Sequence, residues 1–208
     1  LKYDDLEITI KTSTPLNFIK NSLKSESNIN FINSDNDVGL ILDNNLEVDR
    51  KTLQLKVRGW VNNWHELIMN EAYYLDQNDI DLVISDITPW IFPAADKVGV
   101  RSIAISNFTW YDQYKELLDR DRSVETVGDA YKKVDLFLSY PLNLGLGKAR
   151  NYEKVGFLCR KFNKEKINSI KNKFIEDNKK LVFVGIGKSI NPEILNEIEF
   201  QKYDNYNW

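Results

Sequence analysis

Polar side chains follow two short apolar runs near the middle of the 208-residue chain. Ser85 and Asp86 come directly after residues 82–84, and Asn107 comes soon after residues 101–105. A helix between the two runs would make them parallel neighbours in one sheet. The carboxyl ends of such strands are where open α/β sheets bind their ligands. The sequence therefore predicts a ligand site at this edge, and Thr88 and Thr109 belong to the same set of polar residues.

Asp86 has two interpretations, and both stay open at this stage. Its carboxylate would lie at the rim of the sheet, where it could bind a substrate hydroxyl or orient a catalytic group. It could equally cap the helix that Pro89 is expected to open, since an acidic residue shortly before a proline is typical of a helix start. The apolar run before it is continuous, which predicts a strand buried on both faces.

The residues after the second run could form a sugar-binding group. Asn107 offers an amide, Thr109 a hydroxyl and Trp110 an aromatic face, and a few such polar groups beside an aromatic surface are typical of small-molecule sites. The structural alternative has Thr109 capping the next helix, with Phe108 and Trp110 in the core. We favour a binding role for Asn107 and packing for Trp110.

Two further sets of residues could contact a phosphate. Arg50 could face the cleft and bind a phosphate or a carboxylate. In the structural alternative, Asp49 caps a long helix through about residue 76 and Arg50 is exposed. The second set follows an expected strand at 181–184 and precedes an expected helix, so its backbone amides could hold a diphosphate. Its members are Gly185, Gly187, Lys188 and Ser189. The set matches neither a complete P-loop nor a dinucleotide fingerprint.

Composition excludes several classes of function. The net charge of −3 gives no electrostatic basis for binding nucleic acid. No apolar run approaches the roughly 18 residues of a membrane span, so we expect no integral membrane segment. Cys159 is the single cysteine, which suits a reducing compartment, and we expect a cytoplasmic protein. No spacing of His, Cys, Asp or Glu predicts a metal site.

The order of elements predicts an α/β fold. Residues 1–160 are expected to form a Rossmann-like open parallel sheet with helices on both faces. Its first βα unit is expected to be missing, because residues 6–10 already resemble an interior strand. Residues 161–208 are expected to begin a second Rossmann-like domain with one βα unit. An isolated βα unit cannot bury its faces, and a homodimer is one way to cover it.

The run SDITPWIFPAADKVGVRSIAISNFTW at 85–110, followed by KVGFLCR at 154–160, resembles a known family. It is similar to the amino-terminal half of GT-B-type glycosyltransferase-like proteins. The nearest resemblance is to the glycosyltransferase-like domain fused ahead of the sugar kinase in L-arabinokinases. Segments 37–39 (DVG) and 46–50 (LEVDR) also match, and the similarity covers roughly 6–187. The glycine- and histidine-rich loop that commonly supplies a catalytic base in this family is absent from the sequence.

The resemblance implies metal-independent transfer of a sugar from a nucleotide-sugar donor to a small-molecule or glycan acceptor, with no cofactor besides the donor. It implies a catalytic role for Asp86 and a nucleotide-binding role for the glycine-containing turn at 185–189. The acceptor would be bound by Thr88, Asn107, Thr109, Trp110 and Arg50. We expect the fragment to be inactive alone. The alternative is a non-catalytic sugar-binding or interaction module that retains the fold.

Overall fold

The computed structural model describes residues 6–13, 15–23, 27–43, 45–118, 121–159, 161–175 and 179–185, together with 199, 202–203 and 205–207. The chain divides into two compact units, Leu1–Phe157 and Leu158–Trp208.

The first unit alternates strands and helices, as the sequence predicts for an α/β fold. Its amino-terminal elements are β1 (Ile8–Thr12), α1 (Leu16–Ser22), β2 (Ile29–Asn33), α2 (Arg50–Asn62) and α3 (Trp64–Gln77). The elements that follow are β3 (Leu82–Ser85), α4 (Ile91–Val98), β4 (Arg101–Ser106), α5 (Trp110–Leu117), α6 (Arg122–Tyr131), β5 (Leu136–Ser139) and β6 (Tyr152–Lys154).

The strands of the first unit form two parallel sheets. One consists of β1 and β2, and the other has the order β3-β4-β5-β6 with every neighbouring pair parallel. The helical crossover from β3 to β4 is therefore confirmed. The sequence predicted a single sheet, but within the described residues no ladder joins the two. The sequence predicts a strand or a strand-like link over 154–158, but β6 lies earlier, because its pairing with β5 begins at Tyr152.

One face of the larger sheet is packed against helices. Val83, Ala104 and Phe137 point into this face and are buried under α2 to α6. On the opposite face Leu82 and Ile84 are 44% and 63% exposed. The prediction that this strand is buried on both faces is wrong. Strand β3 is at the edge of its sheet, and helices α3 and α4 contact only the face that carries Val83.

Helix boundaries follow the capping residues more closely than the hydrophobic pattern. Asp49 caps α2 as predicted, accepting a hydrogen bond from the backbone N–H of Thr52 at 3.0 Å. The expected long helix is interrupted at Asn63, whose backbone bonds to the preceding turn and ends α2 before α3 begins. Both helices nevertheless bury apolar side chains on the core side, Leu53 and Val57 from α2 and Trp64, Ala72 and Leu75 from α3.

Helix α4 begins two residues after Pro89 rather than at it. The Pro89 carbonyl accepts a hydrogen bond from the Phe92 N–H at 3.1 Å, which places the proline in the turn before the helix. The sequence predicts that this helix ends near Val98–Gly99, and α4 does end there: Gly99 has the left-handed backbone (φ 73°) that favours glycine at this position.

The second unit contains α7 (Lys164–Phe174), β7 (Lys180–Leu181) and β8 (Tyr206–Asn207). Asn163 caps α7, and β7 pairs in parallel with β8. The strand expected over 181–184 is shorter than predicted and lies at Lys180–Leu181, and Phe183 beyond it is 90% exposed. The helix expected after Pro192 lies outside the described residues.

Candidate functional site

The turn that follows β3 has a strained backbone. Ile87 has φ 71°, a left-handed conformation that β-branched residues rarely adopt. The Thr88 N–H donates to the Asp86 carbonyl at 3.0 Å across Ile87, which closes a three-residue γ-turn. Backbone strain of this kind persists where the surroundings over-determine it, and it is concentrated at functional sites. The strained residue is the direct neighbour of the carboxylate that the sequence singled out.

Two buried hydroxyls hold this turn in place. Ser85 donates to the Thr88 carbonyl at 2.8 Å, and the Tyr131 hydroxyl donates to the Ile87 carbonyl. The same Tyr131 oxygen accepts the backbone N–H of Trp110 at 3.2 Å. Thr88 itself is buried, so its contribution to the edge is mainly through its backbone.

The loop that follows β4 is built by a helix cap. The Thr109 hydroxyl donates to the Asp112 carboxylate at 2.6 Å and accepts the Asp112 N–H at 3.2 Å, which caps α5. Thr109 and Trp110 are both buried. For these two residues the structure therefore shows the structural alternative, in which Thr109 caps the next helix and Trp110 packs in the core. They contribute to the edge by fixing the shape of the loop after β4.

Asp86 and Asn107 are brought together at the same edge of the sheet. Ser85 pairs with Ala104, so Asp86 follows its strand at the level of Ile105 and Asn107 follows the neighbouring parallel strand two residues further on. Asp86 does not cap α4, which starts without any side-chain cap. Within the part of the chain that the structure describes, neither the Asp86 carboxylate nor the Asn107 amide makes a hydrogen bond. Asp86 is exposed and Asn107 is half-buried, so both groups are open to a ligand.

Tyr140 extends the edge to a third strand, which the sequence reasoning missed. It follows β5, and its N–H donates to the Ser106 carbonyl at 3.0 Å, so it lies beside Asn107. The rule that singled out Asp86 also applies to Tyr140, because it is one of the first residues after an apolar run. Desolvation, together with the negative charge of Asp86, raises the pKa of its phenol.

Asp37 is a second carboxylate near Asp86 that was not predicted as a site residue. The segment after β2 is held by two indole N–H groups: Trp90 donates to the Asn36 carbonyl at 2.8 Å and Trp110 to the Asp37 carboxylate at 3.1 Å. The only signal in the sequence was that Asp37 begins the DVG segment shared with the resembling family.

The pKa values of both carboxylates, Asp37 and Asp86, are raised. Desolvation raises the pKa of Asp37 although the hydrogen bond from Trp110 opposes it. The pKa of Asp86 is also raised, first by desolvation and then by the charge of Asp37. Asp86 is open to solvent on one side, and the protein around its other side is enough to disfavour the charged form. A carboxylate of raised pKa is a better proton acceptor near neutral pH.

An irregular loop closes over the carboxyl end of β4. The Leu144 N–H donates to the Asn107 carbonyl at 2.7 Å, and the Gly147 N–H donates to the Asp112 carboxylate at 2.7 Å. Gly147 has φ 61°, which glycine adopts without strain. Leu142 and Leu144 are 81% and 69% exposed on this loop, so an apolar surface borders the polar edge.

The remaining predicted residues lie elsewhere. Arg50 is the first residue of α2, is exposed and makes no hydrogen bond or ion pair with described residues, in line with the structural alternative. Gly185 is exposed near the end of a described segment of the second unit. The other members of the predicted nucleotide-binding set, Gly187, Lys188 and Ser189, lie outside the described residues.

The described residues contain no group of three or more His, Cys, Asp or Glu side chains arranged to hold a metal ion. None of the helices in the described ranges combines the length and the apolarity needed to cross a membrane.

Comparison with known proteins gives matches at the level of structure. No family model matches the chain, and no curated protein matches it. The chain is similar to the crystal structure of Arabidopsis thaliana UGT89C1, with a TM-score of 0.51 and 14% identity over 89% of this chain. It is also similar to the same protein complexed with UDP, with a TM-score of 0.50 and 16% identity over 91% of this chain. The chain spans about half the length of these structures, 52% and 54%. The protein therefore has a Rossmann-like α/β fold of the kind found in GT-B glycosyltransferases.

Proposed function

We propose that this chain is the acceptor-side part of a GT-B-type glycosyltransferase, which moves a sugar from a nucleotide-sugar donor to a hydroxyl of an acceptor. The observation that carries the proposal is that Asp86 and Asn107 follow neighbouring parallel strands at the same edge of the sheet. Both offer polar groups that make no hydrogen bond with the described residues, at the ends of neighbouring strands and on a fold shared with glycosyltransferases. The carboxyl ends of parallel strands are the usual ligand side of such sheets.

In this proposal Asp86 binds the acceptor hydroxyl and takes its proton. The acceptor oxygen forms a bond to the anomeric carbon of the donor sugar while the bond from that carbon to the diphosphate oxygen breaks. The proton passes to the Asp86 carboxylate, and the nucleotide diphosphate leaves. Asn107 orients the acceptor, and the raised pKa of Asp86 suits a proton acceptor. No metal is assigned a role.

The nucleotide side of the reaction belongs to the second unit in this proposal. Backbone amides around Gly185, Gly187, Lys188 and Ser189 would bind the diphosphate and stabilise it as it leaves. UDP as the donor nucleotide is supported by the neighbour that was crystallised with UDP. The closer link to L-arabinokinases, the cytoplasmic location and a homodimer rest on the sequence alone.

A transfer assay with matched variants tests the proposal. The full-length protein is incubated with UDP-sugars and a panel of hydroxyl acceptors, and the release of UDP is measured. Asp86→Ala should lower turnover by about a hundredfold or more, the usual contribution of a positioned proton acceptor, and Asn107→Ala should lower it by about a hundredfold because the acceptor is no longer oriented. Asp96→Asn is the control, because Asp96 is a half-exposed residue of α4 that pairs with Lys133. Wild-type turnover in both alanine variants would show that the site is elsewhere.

The second candidate is a binding module without chemistry. It is favoured by the exposed leucines beside the polar edge, which suit the recognition of an amphipathic ligand. Acceptor binding by calorimetry without any UDP release, in the wild-type protein and in the Asp96→Asn control alike, would favour the module.

A further inference from the structure

Tyr131 joins the two loops that carry the candidate site. Its side chain is fully buried on α6, far along the chain from either loop. The hydroxyl donates to the Ile87 carbonyl in the turn after β3 and accepts the Trp110 N–H at the start of α5, at 3.2 Å. One oxygen therefore links the backbone beside Asp86 to the backbone beyond Asn107.

The turn at Ile87 needs such a partner. A left-handed backbone at a β-branched residue is unfavourable, and the turn would relax if nothing opposed it. Ile87 and Thr88 are buried, and among the described residues only the Tyr131 hydroxyl donates to the Ile87 carbonyl, so losing this hydrogen bond would leave that carbonyl unpaired. The Tyr131 ring is itself held in place, with its centroid 5.8 Å from that of Phe92 on α4.

We propose that Tyr131 is a positioning residue of the site: its hydroxyl holds the strained turn against the start of α5 and so fixes Asp86 relative to Asn107. The purpose of that geometry, acceptor binding for sugar transfer, rests on the proposed function. The hydrogen-bonded bridge itself does not. Burial raises the pKa of the Tyr131 phenol well above its ordinary value, which keeps the hydroxyl protonated and able to donate at any working pH.

Tyr131→Phe removes the bridge and keeps the ring. Selective ¹³C labelling of aspartate and NMR titration then report the pKa of Asp86 directly. As the turn relaxes and Asp86 becomes better hydrated, the midpoint of its titration should move to lower pH, towards the ordinary pKa of an aspartate. In the full-length protein, kcat for transfer should fall by about tenfold to a hundredfold with little change in KM for the donor, the pattern of a misplaced group.

Two further variants separate positioning from general loss of stability. Tyr111→Phe is the matched control, because Tyr111 is a buried tyrosine of α5 whose hydroxyl makes no hydrogen bond with the described residues. It should leave the Asp86 titration unchanged. Ile87→Gly, placed in the Tyr131→Phe background, removes the strain, since glycine adopts φ 71° readily. It should return the Asp86 titration towards that of the wild type.

Each outcome decides the proposal. An Asp86 titration in Tyr131→Phe equal to that of the wild type and of Tyr111→Phe would overturn it. A full-length protein without transfer activity would count against the proposed function, while the titration would still decide the role of Tyr131. If Tyr131→Phe does not fold, hydrogen exchange of the wild type decides. Slow exchange of the Trp110 N–H would support the bridge, and fast exchange would overturn it.

Discussion

The two loops at the candidate site reach the same edge by different physical means. After β4 the chain enters α5 through an ordinary cap, in which Thr109 bonds to Asp112. After β3 it passes through a strained turn at Ile87 that a distant tyrosine supports. The capped loop is stable through its local sequence. The strained loop depends on the fold around it, and it carries the carboxylate of raised pKa. The difference indicates that the fold tolerates a strained and less stable backbone at Ile87 because this backbone places the Asp86 carboxylate.

The largest expected effect comes from replacing Ile87. Ile87→Ala loses a buried side chain and should lower the free energy of unfolding by about 2–5 kcal/mol. Ile87→Gly should be less destabilising by about 1 kcal/mol, because glycine adopts the left-handed backbone without the Cβ clash. Phe108 in the other loop is the control, since its φ is not positive and alanine should be the better replacement there. Urea unfolding measures the stability of Ile87→Ala, Ile87→Gly, Phe108→Ala and Phe108→Gly. An alanine variant more stable than the glycine variant at position 87 would contradict backbone strain at that residue.

An intermediate effect is expected at the cap of the other loop. Thr109→Ala removes the hydroxyl that caps α5 and should cost about 1–2 kcal/mol in the free energy of unfolding. Thr109→Ser keeps the hydroxyl and should cost clearly less. Both are measured by urea unfolding. Equal losses in the two variants would mean that the buried methyl group, and not the cap, stabilises this loop.

The smallest effect is the pH dependence of stability caused by Asp86. The pKa values of Asp86 and Asp37 are raised in the folded protein, so these two carboxylates bind more protons there than in the unfolded chain above pH 3.8. Their contribution to stability should therefore fall as pH rises from about 3.8 through their folded pKa values. Asp86→Asn should reduce this fall and make the protein slightly more stable at neutral pH. Urea unfolding between pH 4 and about 7 measures it.

Asp121 is the internal control for this pH profile, because its shift has the opposite sign. Burial opposes ionisation there, but hydrogen bonds from Ser123, Gln54 and Arg58 outweigh it and lower the pKa to about 2. Its contribution is fully present above pH 3.8 and is lost as pH falls through about 2. Asp121→Asn should therefore destabilise the protein at neutral pH by about 2 kcal/mol. An Asp121→Asn variant that is more stable than the wild type at neutral pH, or an Asp86→Asn variant that is less stable, would contradict the opposite signs expected for the two carboxylates.

The features that sequence reasoning predicted correctly are local. The cap at Asp49 and the left-handed Gly99 each follow from residue types within a few positions of each other, and the crossover from β3 to β4 follows from the order strand, helix, strand. The α/β class follows from the alternation of these elements. Such signals are strong because the responsible contacts are made within one turn of the chain.

The features that it missed depend on distant contacts. Nothing near Ile87 predicts a left-handed backbone, because the supporting hydroxyl is on Tyr131, 44 residues away. Asp37 reaches the site through Trp110, which follows it by 73 residues. The exposure of Ile84 likewise depends on which helices cover a sheet face, which the apolar run alone does not specify.

The pH dependence of transfer tests the central claim most directly, because the claim is that Asp86 takes the proton of the acceptor hydroxyl. The measurement is kcat/KM for sugar transfer by the full-length protein against pH, in the wild type and in Asp86→Asn. We predict that the wild-type value rises with pH through one ionisation above 3.8, and that this acid limb disappears in the variant together with most of the rate. An acid limb of unchanged height and position in Asp86→Asn would contradict the account.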